Sequence, residues 1–477
     1  MGDELKEDAL KDEEMEKIIF RPLVSSGKGF YGMVAVLVAF VSLGLYAYYV
    51  QLSRGLEVTG MTDTVIWGLY IANFVFFIGI SHAGTLISAI LRLTKAEWRR
   101  PITRMAEAIT VFALVVGVSM ILIDMGRPDR LHHILLFGRM QSPILWDFIS
   151  IATYLAGSLI YLYLPMIPDL ARCKEKLEDA PRWRRKLYGW LSLNWKGTKE
   201  QKKRLERGIG IMAILIVPIA VSVHTVVSWV FAMTARAGWH STIFGPYFVV
   251  GAIFSGIAAV IVAMAMFRKV YGLEKFIKPR HFNYLGLMLL VLCIAYMYFT
   301  VSEYLTASYV GFEAESQLLA QVFGGSYALY FWIFVIFGLL IPAFILAIPK
   351  TRTIKGTVVA SILVNIGMWI KRFVITVPSL SAPQIGAEWG TYHPTWVEWS
   401  ITLGAFAGFM LLFVLFSKVF PLISIWEVKE GQVESKKVSE EPTPTSAKSR
   451  AVSSQEPHRS DLSSSTSGPL KRHSRGG

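Results

Sequence analysis

Residues 68–92 read GLYIANFVFFIGISHAGTLISAILR, with no Asp, Glu or Lys anywhere and no Arg before the one that closes the stretch. A bilayer-spanning helix needs about 20 mostly apolar residues, so this segment alone makes a membrane span. Working outward from it, apolar runs of similar length recur at roughly 31–51, 64–91, 103–124, 143–166, 209–233, 243–267, 282–306, 321–348, 355–377 and 396–422. The fold expected is therefore all-α and integral to the membrane, with ten transmembrane helices.

Composition agrees. Of 477 residues 53% are hydrophobic and only 17% charged, against the ~25% charged residues of an ordinary soluble domain. The net charge of +14 is not a nucleic-acid signal, because the cations sit between the runs. The loops after spans 2, 4, 6 and 8 hold 26 Lys and Arg, and those after spans 1, 3, 5, 7 and 9 hold 5. Short basic loops stay cytoplasmic, which puts both termini in the cytoplasm of a bacterial inner membrane. The acidic start (Asp3 to Glu16) is the opposite of a cleaved leader's basic n-region. Two cysteines, Cys173 and Cys293, exclude a disulfide framework and Cys-ligated metal sites.

Span 2 slides onto span 6 by 177 residues, matching Gly68 with Gly245, Tyr70 with Tyr247, Phe77 with Phe254 and Gly79 with Gly256. Four helices separate the copies, so the repeats would be parallel. The organisation expected is an acidic segment 1–30, a first helix with its outer loop 31–63, a four-helix bundle 64–233 containing a basic loop 168–208, a second bundle 234–377, an outer loop and last helix 378–426, and a disordered tail 427–477.

Ionisable groups inside spans are costly and mark function by default. They are His82 in span 2, Glu107 and Asp124 in span 3, Asp147 at the start of span 4, His224 in span 5, Glu303 in span 7 and the pair Lys371 and Arg372 in span 9. Counting about 1.5 Å per residue from the run ends puts His224, Lys371 and Arg372 in the outer third. With Asp124, Arg127, Asp147 and Glu303 at outer helix ends they would form an outer polar layer. His82 and Glu107 would form an inner one. On this count His82 and His224 lie on opposite sides of the midplane, which disfavours a haem between them. Each group also has a plain reading: an interfacial turn for Asp124 to Arg130, snorkelling for the cations, interhelical hydrogen bonds for the imidazoles.

Soluble-enzyme motifs are missing: there is no phosphate-binding glycine loop, no nucleophile and base pair, and no metal-spaced histidine cluster. Quinol oxidation suits the pattern better. It needs an aromatic slot open to lipid and a carboxylate or imidazole to take protons, which Asp124 or Asp147 with His224 would supply. The chain has no redox cofactor ligands, so electrons would leave to a docked partner. An ion-coupled transporter and a structural anchor without its own quinone are the competing readings.

The phrases GLYIANFVFF and GISHAG in span 2, IDMGRP at 123–128, LNWKGT at 193–198, SVHTVVSWVFAM at 222–233, GWHSTIFGPYFVVGAIFSG at 238–256 and YHPTWVEWSITLGAF at 392–406 resemble the NrfD/polysulfide-reductase membrane-subunit family. Within it they look like the ActC subunits of bacterial alternative complex III. The resemblance covers about 20–425. It implies a subunit of a respiratory or photosynthetic complex that oxidises menaquinol near the outer face and has no haem or metal of its own. Its partners would be an extracytoplasmic iron–sulfur subunit, c-type haem subunits and a second NrfD-like membrane subunit, with no nucleic acid. The residues themselves suggest Asp124, Asp147 and His224 as catalytic groups, His82, Asp124, Arg127, His224 and Arg372 around the quinol, and His82, Glu107, Glu303 and Lys371 as a proton relay, with the family motifs falling on His82, Asp124 and His224.

Overall fold

Five of the ten spanning helices begin where the sequence supplies a cap or a proline. Thr198 and Gln201 form a capping box that starts a helix running to Ala232. Thr395 and Glu398 do the same at Trp396, and Pro143 and Pro279 occupy first-turn positions where the missing N–H costs nothing. The computed structural model describes residues 16–24, 26–177, 180–234, 236–383 and 388–430, with the side chains of 83, 85 and 86 excepted. Ten of its helices are long and apolar enough to cross a membrane: α1 (Lys28–Arg54), α2 (Leu69–Leu93), α3 (Thr103–Asp124), α4 (Pro143–Lys176), α5 (Lys199–Ala232), α6 (Phe244–Tyr271), α7 (Pro279–Val310), α8 (Ala328–Ala347), α9 (Ile354–Ser381) and α10 (Trp396–Val419). The protein is a multi-pass, all-α membrane protein.

Neighbours in space follow neighbours in sequence. Helix α2 packs on α3, α3 on α4, α4 on α5, and α5 returns to α2, closing one ring of four. Helices α6, α7, α8 and α9 close a second ring in the same way, and α2 against α6 joins the two. Helix α1 lies against α10, with Gly44 and Gly404 face to face so that a Cβ on Gly44 would stand 3.0 Å from the Gly404 Cα. Small residues at such a crossing let backbones approach where lipid provides no hydrophobic drive. Helix α2, the stretch that decided the fold, touches α3, α5, α6, α9 and α10 and is the most buried span.

Several boundaries differ from the sequence expectation. The second span starts at Leu69, not 64, because residues 59–68 take non-helical conformations. The basic stretch 168–208 is not a loop: it holds helix to Lys176, a further helix Arg182–Leu191, and the first turns of α5. The eighth span starts at Ala328 after a separate helix Glu313–Phe323, and a π-helical stretch, Phe334–Leu340, lies inside it. Glu427, expected to open an unattached tail, is buried and ion-paired to Arg92 at 2.8 Å and Arg99 at 3.5 Å. Just before it, Ile425 and Trp426 donate backbone N–H bonds to Asp169, which also pairs with Arg104 at 2.7 Å. Apolar flanking residues, Leu422, Ile423, Ile425 and Trp426, hold the segment in the core. The expectations for residues 1–15 and 431–477 lie outside the described residues.

Candidate functional site

The helix assembly has a basic face, the end that carries the 26 Lys and Arg of the loops, and a charge-poor face opposite it. His82 on α2 and His224 on α5 are fully buried and touch: their ring centroids are 4.3 Å apart at 64°. This corrects the expectation that they lie on opposite sides of the midplane. Starting α2 at Leu69 puts His82 about 20 Å below its charge-poor end, and His224 lies about 12 Å below the end of α5. Side chains lean toward their helix N-terminus. The two helices run in opposite directions, so the imidazoles lean toward each other and close the remainder.

His82 places Nδ1 2.8 Å from the Ile78 carbonyl oxygen and Nε2 2.6 Å from that of Ala220. A neutral imidazole can donate to only one of these, and a protonated ring donates to both. His224 is the reverse, with neither ring nitrogen hydrogen-bonded. Arg372 lies over the Phe248 ring at 5.0 Å, and its terminal nitrogens are buried without hydrogen-bond partners. It fits between α2 and α6 because Gly79 and Gly251 leave a notch: a Cβ on Gly251 would come within 3.1 Å of its Nη2 and one on Gly79 within 3.7 Å.

From His82 a polar line continues through the first ring. Tyr154 packs 5.2 Å from His82 and donates to the Ser81 carbonyl at 3.1 Å, as Thr110 does at 2.6 Å. Farther toward the basic face Ser88 donates to Glu107 Oε1 at 2.5 Å and also reaches Tyr161 at 3.0 Å. Glu107 Oε2 and Ser158 Oγ are buried beside this line with no partner. Tyr154, Ser158 and Tyr161 share one face of α4.

The second ring handles its charge differently. Lys371 donates to the Tyr304 hydroxyl at 2.7 Å and lies over three rings, those of Tyr304, Tyr247 and Phe334, at 4.7, 5.4 and 5.4 Å. Glu303 accepts from Ser241 at 2.6 Å. Lys371 and Glu303 line one cavity of about 40 Å³, room enough for a water between polar partners.

Asp124 ends α3 half-buried, with Oδ1 enclosed and unpartnered. Beside it Gln51 donates to the Ile123 carbonyl at 2.8 Å and accepts from Tyr70 at 2.7 Å. Asp147 Oδ1, in the second turn of α4, is likewise enclosed. Arg127 is exposed and bonds Asp129 at 3.1 Å, which holds the Asp129 carboxyl below the usual carboxylate range. Among the described residues no group of three or more His, Cys, Asp or Glu is placed to hold a metal ion.

A further site went unread in the sequence. At the charge-poor face a cavity of about 710 Å³ opens between α8, α9, α10 and residues 389–394, walled by Tyr327, Tyr330, Trp369, Phe373, Tyr392 and Trp399, with His393 in its lining. Trp369 and Trp399 are shared with an almost wholly apolar groove of about 350 Å³ running along Phe76, Ile366, Leu403 and Phe406. Ile366, Trp399 and Leu403 are exposed on the flank that faces lipid. The cavity wall is pinned by Glu398, which accepts from the Tyr392 hydroxyl at 2.5 Å, Gly60 N at 2.7 Å and Thr395 N at 2.9 Å. Tyr392 in turn accepts from Leu69 N at 2.8 Å, and Trp369 donates to Asn73 at 2.8 Å. The sequence signal was the aromatic density of YHPTWVEW, but only folding brings it opposite Trp369 and Tyr327.

Comparison with known proteins gives a match over residues 57–383 to the family described as polysulphide reductase, NrfD. A putative membrane subunit of a dimethyl sulfoxide reductase from Halobacterium salinarum is 29% identical over 84% of this chain and 94% of its own length. The Hdr-like menaquinol oxidoreductase integral membrane subunit of Archaeoglobus fulgidus is 25% identical over 86% and 98%. The integral membrane subunit of menaquinone reductase from Nitratidesulfovibrio vulgaris is 25% identical over 81% and 91%.

Proposed function

This chain belongs to the polysulphide reductase, NrfD family, and on that premise we propose that it is the quinol-binding membrane subunit of a menaquinol:acceptor oxidoreductase of the alternative complex III type. The observation that carries the reading is the aromatic cavity beside a lipid-facing apolar groove, the two sharing Trp369 and Trp399 in their linings. A quinol is a flat ring on an isoprenoid tail; the cavity suits the ring, the groove the tail. Ligand cavities of about 300–1,000 Å³ lined by aromatics with few polar groups are typical of such substrates.

Oxidation of one menaquinol releases two protons and two electrons. This chain carries no electron acceptor in the reading, so the electrons leave to an extracytoplasmic iron–sulfur subunit, then to c-type haem subunits, in a complex holding a second NrfD-like subunit. That orientation follows from the loop charges, with the charge-poor face outward and both termini cytoplasmic in a bacterial inner membrane. His393 and the enclosed carboxylates of Asp124 and Asp147 are the proton acceptors at that face. His224 and His82 pass protons inward along Ser81, Tyr154, Ser88 and Glu107, while Lys371, the small cavity and Glu303 form the counterpart in the second ring. Arg372, between the rings, and Arg127, at the surface, set the local field. The two rings are the two copies of the 177-residue repeat.

The test is menaquinol turnover by the isolated complex carrying Trp369→Ala or Trp399→Ala. The KM for menaquinol rises about tenfold or more, because removing a wall of the slot strips binding area shared by ring and tail. An unchanged KM in an intact complex removes the cavity from the reaction.

A further inference from the structure

At the charge-poor face the helix Glu313–Phe323 closes one side of the small cavity that holds Lys371 and Glu303, with Leu318, Leu319 and Val322 in the wall. The segment between α5 and α6 receives this helix at two points. At Gly238, whose φ of +81° suits glycine, a Cβ would stand 2.8 Å from Leu318 Cδ2, so the leucine sits directly on the backbone. Two residues on, His240 places Nε2 3.0 Å from Oε1 of Glu315, in the first turn of the helix. The next residue, Ser241, donates to Glu303 at 2.6 Å. One short stretch thus touches both the covering helix and the carboxylate beneath it.

The other ring nitrogen decides the charge state. His240 Nδ1 stands 3.2 Å from the Arg236 carbonyl oxygen, so both nitrogens face acceptors. A neutral imidazole donates to one of them only, whereas an imidazolium donates to both. Around the ring, Glu315 comes from the covering helix and Glu303 from α7, near enough to feel the charge of His240 and Glu315. Lys371 on α9 acts in turn on Glu303. The Arg236 guanidinium, on the same segment, is turned to the Leu380 and Ala382 carbonyls. His240 is half exposed and Glu315 mostly buried, so the imidazole exchanges protons with water while its partner stays fixed.

We propose that His240 and Glu315 form a proton-operated clasp that shuts the Lys371 and Glu303 cavity from water on the charge-poor face. With the imidazole protonated, the ion pair holds the helix down on Gly238 and the cavity is closed. An imidazole changes charge between about pH 5 and 8. Once the proton leaves, the ring keeps at most one of its two bonds and loses the charge that made the pair, so the helix loosens as pH rises. The clasp is independent of what the chain oxidises; its consequence for turnover rests on the reading proposed above. Where quinol oxidation releases protons at this face, acidification keeps the cavity shut and hinders their return past Lys371.

The test is hydrogen exchange of the full chain in mild detergent at about pH 5.5 and about pH 8, on either side of the imidazole range, with each rate divided by the intrinsic rate at that pH. In the natural chain the amides of 313–323 lose about fivefold of their protection between the two, the factor of an ion pair partly open to solvent, while those of α9 hold theirs. His240→Gln shows the weaker protection at both pH values. His240→Arg, which keeps a cation facing Glu315, shows the stronger at both. Glu315→Gln, which removes the partner instead, behaves like His240→Gln. Protection of the natural chain that does not change with pH, or a pH response that survives in His240→Gln, would overturn the proposal. No menaquinol enters this measurement, so its failure leaves the proposed function standing, and a failure of the Trp369→Ala test leaves the clasp standing.

Discussion

The two rings pack alike and treat buried charge in opposite ways. In the first, ionisable groups are met by the backbone and by hydroxyls: two carbonyls at His82, Ser88 at Glu107, and backbone N–H groups with Arg104 at Asp169. In the second, the cations are met by aromatic faces, three around Lys371 and Phe248 under Arg372. Hydroxyls and carboxylates within hydrogen-bond reach can exchange protons, whereas an aromatic face holds a cation without accepting its proton; Lys371 has the Tyr304 hydroxyl as a hydrogen-bond acceptor besides its rings. Under the proposed function the first ring holds the longer series of proton-exchanging groups, and the second holds its counterpart at Lys371, the small cavity and Glu303.

The strongest way to break this contrast is His224→Phe. Neither ring nitrogen of His224 makes a hydrogen bond, so an aromatic replacement keeps the contact with His82 and Phe248. Menaquinol turnover drops by a factor of about 10²–10⁴, the usual worth of a positioned acid or base, while the melting midpoint holds. Unaltered turnover would reduce the pair to packing.

Asp169→Ala acts next, on stability rather than rate. It strands the buried Arg104 guanidinium and two backbone N–H groups of the 421–427 segment, at a cost of about 3–5 kcal/mol. Unfolding midpoints in detergent check this, and a loss under about 1 kcal/mol would mean that the segment is held by its apolar residues alone.

Gly84→Val tests the first ring's packing. An added Cβ would overlap the Ala106 carbonyl and Thr110 Oγ1 on α3, so α2 and α3 must separate, with about 1–3 kcal/mol lost. Lys371→Met, its counterpart in the second ring, should change stability by less than about 1.5 kcal/mol, because methionine fills the lysine stem's space among the same rings. A large destabilisation there would show the ammonium to be a structural tie.

The smallest effect is at the surface. The Arg127 bond stabilises the Asp129 carboxylate, so its contribution is present at neutral pH and is lost as pH falls through the lowered value. Both side chains are more than half exposed, and solvent screens the pair. Asp129→Asn leaves turnover and melting midpoint unchanged at neutral and acid pH alike.

Read residue by residue, the sequence disclosed the spans, because each needs a continuous apolar run and nothing else in a bilayer satisfies the backbone. It also disclosed which buried residues were unusual: His82, Glu107, His224, Lys371 and Arg372 all proved almost wholly enclosed. It misjudged the separation of His82 and His224, since counting along an axis ignores where a helix starts and which way its side chains lean. It missed the aromatic cavity, because Tyr327, Trp369, Tyr392 and Trp399 come from two helices, the turn before α8 and a connecting segment and share no periodicity.

What the sequence alone determined is thus the solvent of each segment, through the free energy of moving side chains and peptide groups into lipid. Only the tertiary structure decided the partners. The His82 and His224 contact, the Gly79 and Gly251 notch for Arg372, the anchoring of Glu427 and the adjacent cavity and groove each depend on helix rotation and register. Those are set by side-chain packing between helices, which hydropathy along one chain does not encode.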